Sequence, residues 1–281
     1  MQKVVSFSGG RTSAYLCKLM IDTYGRENVE FVYMDTGAEH LKTYDFIRNV
    51  DREFGLNLVC LRTKFNMELG KANGYHIVSI DDIGPDLKPW KDMIEKYGTP
   101  YNPGGAFCTD RMKLVPYKKY LDEKYGRKNY VTWLGIRADE PKRLKPKDNY
   151  DFMASISDFD KEDVLDWWSE QVFDLEIPEH FGNCVFCIKK GANKIALAQK
   201  DEPELAAEFK SMLESPNVRI VEGRKAGPLD MYRGKQSFGQ IIKTFKDIDS
   251  EDIRSSLKNS KRFEVNSCSE SCEVFSGDDN E

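Results

Sequence analysis

Short β-branched runs and longer stretches with a period near 3.6 alternate along the N-terminal part of this chain. The run Val4-Val5-Ser6-Phe7 predicts a strand over 3–7. It stops at Ser8-Gly9-Gly10, and Leu16, Leu19 and Met20 then share one face of a helix over 12–24, ended by Gly25. A second strand is predicted over 29–34, an amphipathic helix over 41–54 closed by Gly55, and a third strand over 56–61. This β-α-β-α-β order predicts an α/β fold with a parallel sheet of about five strands and helices on both faces.

The pattern then loosens. Glycine and proline crowd the segment 73–106, which reads as a loop-rich insertion around a short helix near 90–97. Further elements are a helix over 111–125, a strand over 130–135, and a short helix over 160–168 with Asp158 or Asp160 as N-cap. Two more helices are predicted over 194–213 and 241–247. Beyond Glu264 the composition turns to Ser, Glu, Asp and Gly, interrupted by Cys268 and Cys272. Three parts follow: a main domain over 1–191, a helical C-terminal extension over 192–263 and an acidic, cysteine-containing tail over 264–281.

Composition narrows the class. A chain of 281 residues can hold one large α/β domain and a smaller appendage. The formal net charge of -5 gives no whole-protein electrostatic case for nucleic-acid binding. No signal-peptide pattern or bilayer-length apolar run is present, so no membrane association and a cytoplasmic location are expected. In that reducing compartment the seven cysteines read as metal ligands or reactive thiols rather than disulfides.

The chemistry concentrates at strand ends. A glycine turn opening a helix aims backbone N–H groups and the positive end of the helix dipole at one point, which suits a phosphate. Ser8, Thr12 and Ser13 add hydroxyls. The plain alternative is a turn that merely starts a helix. Asp35-Thr36-Gly37, after the second strand, offers a carboxylate for Mg²⁺ or for a ribose or base donor, or else a cap for the next helix. Gly135-Ile136-Arg137 leads into a basic loop in which Arg137 suits bidentate phosphate binding, while Lys145 and Lys147 read as solvated charge. Cys184-Val185-Phe186-Cys187 reads as a metal or iron–sulfur site, a redox pair or an inert turn. Cys17 and Cys60 read as small core residues, and Trp167 and Trp168 as packing that positions the cysteine loop. His40, His76 and His180 lack ligand-like spacing, although His180 stands near the cysteines.

Four segments also carry a family resemblance. Ser8-Gly9-Gly10-Arg11-Thr12-Ser13 resembles the PP-loop of the adenine nucleotide α-hydrolase superfamily, which includes ATP pyrophosphatases and phosphoadenosine-phosphosulfate (PAPS) reductases. Asp35-Thr36-Gly37 is similar to the Thr-Gly motif of PAPS reductase-like proteins. Gly135-Ile136-Arg137-Ala138-Asp139-Glu140 is very close to their Gly-(Ile/Val)-Arg-x-(Asp/Glu)-Glu-Ser motif, with Pro141 replacing the serine. Cys108 to Pro116 resembles their Cys-(Cys)-x-x-x-Lys-x-x-Pro segment, with Thr109 replacing the second cysteine. The resemblance covers about 4–191 and implies a Rossmann-like sheet with an adenine nucleotide at the Ser-Gly-Gly turn. It implies nucleotide binding by Ser8, Gly9, Gly10, Arg11, Thr12, Ser13, Asp35, Thr36, Gly37, Gly135 and Arg137, and catalytic roles for Lys113, Arg137 and Asp35. It further implies a [4Fe-4S] cluster on Cys108, Cys184 and Cys187, with Cys272 or Cys268 as the fourth ligand and zinc as the alternative metal.

The expected reaction is therefore adenylation. ATP·Mg would be cleaved to AMP and pyrophosphate, activating an acceptor for sulfur transfer. The acceptor would be a small molecule or a nucleic acid, and the basic 137–147 loop is compatible with the latter. The chain could work as a homodimer. Two other readings stand beside this one. The first is reduction of PAPS or adenosine phosphosulfate by Cys268 or Cys272, although the family's C-terminal Glu-Cys-Gly-x-His motif is absent. The second is a nucleotide-binding subunit without turnover.

Overall fold

Val4, Val5 and Phe7 are completely buried in the first strand, β1 (Gln2–Phe7), of a computed structural model. The model describes residues 1–98, 101–102, 105–220, 231–232 and 235–260. The chain turns at Ser8-Gly9-Gly10 into α1 (Arg11–Tyr24) and returns as β2 (Val29–Met34). It crosses again through α2 (Leu41–Phe54) to β3 (Val59–Lys64). β2 pairs parallel with β1, and β3 with β2. Every residue of β2 is buried, as a strand covered by helices on both faces requires.

β3 begins later than its apolar run. The backbone N–H groups of Leu56 and Leu58 bond Asp51, and Asn57 takes a positive φ of 47°. These residues complete the turn after α2, so the sheet claims the chain only from Val59. The segment read as an irregular insertion also contains β4 (Gly74–Val78), antiparallel to β3. The sheet is thus mixed, which corrects the all-parallel expectation. β4 is an edge strand of half-buried and exposed residues, so it lacks the buried apolar run that marks its neighbours.

Next come α3 (Lys88–Tyr97), a two-residue ladder of β5 (Tyr101–Asn102) with β6 (Gly105–Ala106), and a π-helical turn over Cys108–Leu114 that runs into α4 (Val115–Tyr125). The chain then re-enters the sheet as β7 (Tyr130–Leu134), parallel to β1 on the side away from β2. β8 (Tyr150–Phe152) adds outside it. The order β4-β3-β2-β1-β7-β8 has six strands, with helices on both faces. Because the chain leaves β1 toward β2 and later returns beside it as β7, the crevice at the carboxyl end of β1 is a topological switch point.

Helix α5 (Lys161–Ser169) starts at Asp160, whose capping box with Asp163 matches the sequence reading. Beyond it, one helix predicted over 194–213 is two, α6 (Ala192–Asp201) and α7 (Pro203–Leu213), because Pro203 cannot continue the backbone ladder of α6. Then come α8 (Phe238–Thr244) and α9 (Ser250–Ser260). The sequence reading missed α9, a mostly polar helix whose Ile253 is buried. The acidic tail, with Cys268 and Cys272, lies outside the described residues.

Three cores hold these layers. Val5, Phe7 and Phe31 pack with α1, α2 and α5 on one face of the sheet. Val4, Val32 and Leu61 pack with Tyr117 and Leu121 of α4 on the other. A third core joins Trp90 of α3, Phe186 beside the cysteines, Phe209 of α7, Phe238 of α8 and Ile253 of α9. No helix among the described residues is long and apolar enough to cross a membrane.

Trp168 belongs to the α1–α2 core, not to the cysteine loop, which corrects its expected role. Its ring meets Phe46 edge-on at 5.0 Å, and its indole Nε1–H donates to the Arg11 carbonyl at 3.0 Å. It therefore supports the first turn of α1. Trp168→Ala should cost about 3–5 kcal/mol by urea unfolding, because it leaves a large cavity. Trp168→Phe keeps much of the packing and loses the indole hydrogen bond and part of the ring, so its cost should be clearly smaller, near 1–2 kcal/mol.

Candidate functional site

The turn after β1 is held by its own side chains. Ser13 Oγ accepts from the Ser8 N–H at 3.2 Å, lies 2.8 Å from Ser8 Oγ and donates to the Gly10 carbonyl at 2.9 Å. Gly9 adopts φ +81°, and a Cβ there would sit 2.9 Å from Ile47 Cδ1. Glycine is thus required by both dihedral and space. Gly10 occupies the N-cap position of α1, where no side chain caps the helix. The first N–H groups of α1 are therefore left to a ligand or water.

Arg11 does not present its guanidinium as a phosphate fork. Its Nε and Nη2 bind Asp174 at 2.6 and 2.8 Å, and Nη2 also donates to the Leu175 carbonyl. Both partners of this ion pair are about one-third exposed, so its net worth is within about 1 kcal/mol. Packing of Leu175 in the α1–α2 core contributes the stronger hold. Arg11 thus acts as a strap that draws the 174–175 segment over the turn.

β7 ends against the same turn. A Cβ on Gly135 would lie 3.0 Å from Ser13 Cα and 3.1 Å from Ser13 N, so the glycine lets the end of β7 touch the first turn of α1. Arg137 follows, buried, with Nε and Nη2 on Asp139 at 2.8 and 3.0 Å and Nη1 3.4 Å from Thr12 Oγ1. Glu140 receives the Arg137 backbone N–H at 3.2 Å and pairs with Arg143. The turn, Gly135 and Arg137 line a cavity of about 190 Å³, together with Arg143, Lys161 and Glu179.

The carboxyl end of β2 supplies a different kind of group. Asp35 is fully buried and is not in the cavity wall. Its Oδ1 accepts from Gly37 N–H at 2.9 Å and Tyr44 OH at 3.0 Å, and its Oδ2 from Arg62 at 2.6 Å. Burial, then the charge of Glu39, pushes its carboxyl up to about 6, against the pull of Arg62. Thr36 and Gly37 also stand behind the wall, and Lys113 lies on the cysteine side. Glu39, past the end of β2, lines the wall, as Glu179 does. It accepts from Thr36 Oγ1 at 2.9 Å and Tyr44 OH at 3.0 Å. Sequence reasoning passed over Glu39 as a helix-start residue. Its signal was position: an acidic residue just past the second strand of a β-α-β unit.

The cysteine loop is joined to this strand end. Val185 N–H donates to the Ala38 carbonyl at 2.9 Å, and Glu39 and Cys184 form a β-bridge. Cys184 Sγ lies 3.3 Å from Thr36 Oγ1 and 3.5 Å from Glu39 Oε1. Buried Lys190 donates to the carbonyls of His180 and Val185 at 2.7 and 3.0 Å and holds the loop from within. Cys108, Cys184 and Cys187 are within electrostatic reach of one another. Burial, then the neighbouring Cys187, pushes the Cys108 thiol up to about 11, while Lys113 and Lys189 pull it down. Burial and Glu39 push Cys184 upward as well. Among the described residues, no group of three or more His, Cys, Asp or Glu side chains is arranged to hold a metal ion. Cys108, Cys184 and Cys187 of the expected ligand set are neighbours, and Cys272 lies outside the described residues. His180 is engaged by Asp201 at 2.8 Å. Cys17 and Cys60 are buried in the core beside the sheet.

Two predictions follow from this geometry. Gly135→Ala should push β7 away from α1 and destabilise the protein by about 1–3 kcal/mol, measured by denaturant unfolding. For Asp35, the folded state holds a proton that the unfolded chain has released between about pH 4 and 6. The folded state then binds more protons, so stability from this group falls as pH rises. The unfolding free energy of the wild type minus that of Asp35→Asn should decrease from pH 4 to pH 7. A difference that grows with pH would contradict the assignment.

Comparison with known proteins agrees with this architecture. The family model described as "Phosphoadenosine phosphosulfate reductase domain" matches residues 2–175. The uncharacterized nin region protein ORF290 of Escherichia phage lambda is 51% identical over 282 residues, covering 99% of this chain and 96% of that protein. Uncharacterized protein MJ0066 of Methanocaldococcus jannaschii is 26% identical over 137 residues, 49% of this chain and 23% of that protein. Uncharacterized protein MJ0973 of the same organism is 30% identical over 125 residues, 43% of this chain and 23% of that protein. The chain belongs to the phosphoadenosine phosphosulfate reductase domain family, within the adenine nucleotide α-hydrolase superfamily.

Proposed function

We propose that the crevice binds ATP and that the protein cleaves it between the α- and β-phosphates to adenylate an acceptor. One observation carries this reading. A helix N-terminus without a side-chain cap opens at the topological switch point, on a glycine turn whose residues line the cavity. Backbone N–H groups and the helix dipole there favour a polyphosphate. The cationic side chains in the wall, Arg137, Arg143 and Lys161, lie on the β7 and α5 side of the turn and add to that preference.

An acceptor oxygen attacks the α-phosphorus. The bond from that phosphorus to the α–β bridging oxygen breaks, and pyrophosphate leaves with the electron pair. Negative charge grows on the leaving group, where the α1 N-terminus and Arg137 offset it. Arg137 is pre-oriented by Asp139 and Glu140, so its guanidinium needs little reorganisation. Mg²⁺ would accompany ATP as part of the substrate, and Asp35, behind the wall, is not among the carboxylates that line the cavity. The gathered thiols of Cys108, Cys184 and Cys187 support a sulfur nucleophile: hydrosulfide, supplied as a co-substrate, attacks the adenylated carbon, the C–O bond to AMP breaks and AMP leaves with the electron pair. The described thiols do not form a metal set, so no step is assigned to an iron–sulfur cluster.

Thermal denaturation and product analysis test the proposal. ATP should raise the melting temperature by several degrees and adenosine far less, since the phosphates carry the binding. Arg137→Lys keeps a charge but loses the planar fork, and it should shrink the ATP-induced shift. Prolonged incubation should release AMP and pyrophosphate in equal amounts, with water as a slow acceptor. No shift with ATP, or ADP and orthophosphate as products, would overturn the reading.

A further inference from the structure

Three polar side chains in the cavity wall flank the Ser8–Ser13 turn. Ser6, Glu39 and Thr43 are each more than nine-tenths buried. The hydroxyls of Ser6 and Thr43 have no hydrogen-bond partner within the protein. Buried hydroxyls are ordinarily bonded, so an orphaned pair in a cavity wall indicates a partner that arrives from outside. Glu39 is only partly satisfied. The single Thr36 proton is shared between its two oxygens, Tyr44 and the Ala38 N–H (3.4 Å) donate to Oε2, and the Cys184 thiol is a weak donor to Oε1 at 3.5 Å. A carboxylate offers about four acceptor positions, so Oε1 retains room for one strong donor.

The position of this trio sets what that donor is. Glu39 follows β2, the strand beside β1 on the side away from β7. In the dinucleotide-binding β-α-β fold the turn after the first strand takes the phosphates and an acidic side chain further on takes the ribose 2′-hydroxyl, with the vicinal 3′-hydroxyl beside it. Charge points the same way. Behind Glu39 stands the second carboxylate, Asp35, with Tyr44 OH 3.0 Å from both. The nearby cation, Arg62, is already paired with Asp35 and Asp86. A phosphate monoester at this place would face two carboxylates, whereas a hydroxyl would complete the hydrogen bonding of all three side chains.

We infer that Ser6, Glu39 and Thr43 form a subsite for free ribose hydroxyls, so that the crevice accepts nucleotides with an unsubstituted 3′-hydroxyl and rejects 3′-phosphorylated ones. The inference rests on the nucleotide reading above and sharpens it. It separates an ATP-type substrate from a PAPS-type substrate by the groups that touch the sugar.

The test compares AMP with adenosine 3′,5′-bisphosphate, which differ only at the 3′ position, by calorimetric titration of the full chain. The wild type should prefer AMP by about tenfold or more, and 3′-deoxy-AMP should bind about tenfold more weakly than AMP. Glu39→Gln should bring the bisphosphate to within about threefold of AMP, because the like-charge repulsion is gone. Thr43→Val, which is close in shape and keeps the methyl that packs against Gly9, should weaken AMP while leaving the melting temperature of the unliganded protein nearly unchanged. A bisphosphate that binds as tightly as AMP to the wild type overturns the subsite alone. So does a preference that survives Glu39→Gln unchanged. If ATP, AMP and the bisphosphate all fail to bind, the nucleotide reading falls and the subsite falls with it.

Discussion

The contact between the end of β7 and the first turn of α1 governs the rest of the site. A glycine at 135 is what allows it, since any Cβ would press on the backbone of Ser13. Ser13 is also the residue that ties the Ser8–Gly10 turn together through its hydroxyl. One point of close packing therefore sets the turn, the direction of the helix N-terminus and the place where Arg137 leaves the sheet. The motif glycine at 135 is explained by strand–helix packing and needs no contact with a ligand. Trp168 supports the same turn from below, through the Arg11 carbonyl.

The carboxyl end of β2 is the second fixed point, and it is held by charge rather than by shape. Asp35 and Glu39 are both buried and share the hydroxyl of Tyr44. Two such carboxylates repel each other and cost desolvation, which is why Asp35 rises to about 6 despite its bond to Arg62. The arrangement is costly, so it needs a compensating network: Arg62 to Asp35 and Asp86, Gly37 N–H to Asp35, and Thr36 to Glu39. That network also joins two regions that are remote in sequence. Through Ala38, Glu39 and Thr36 it meets Val185 and Cys184, so the crevice beside β1 and the cysteine loop share a wall.

The elements that the sequence made legible were those with redundant signals. β2, with six consecutive buried residues, and α2, with an amphipathic pattern closed by glycine, match their predicted bounds. β4 and β8 were hidden because edge strands bury little and so show no apolar run. The break at Pro203 was readable in principle, but the apolar period of α7 continues that of α6 closely enough to mask it. At the site, residue types were visible and orientation was not. Asp35, Arg11 and Lys113 carry the right chemistry, yet Asp35 faces Arg62, Arg11 faces Asp174, and Lys113 lies by the thiols. Ser6 and Thr43 sat unremarked because a single hydroxyl has many ordinary uses, and Glu39, at the end of the segment read after β2, was weighed as a helix-start residue.

The thiols show how the same burial that orders the site restrains its chemistry. Cys184 is surrounded by apolar packing and a carboxylate, both of which disfavour a thiolate, and Cys108 is held near 11 by burial and Cys187. The opposing influence comes from Lys113, which lowers both, with Lys189 acting on Cys108. Lys113 stands on the π-helical turn, a backbone form often found at functional sites, and its charge reaches Cys108 and Cys184, while it is not among the residues lining the cavity. Its position accounts for a lysine in this motif without requiring it to reach a phosphate. A cation beside buried thiols lowers the cost of forming a thiolate there, one shared wall away from the cavity that Glu39 lines.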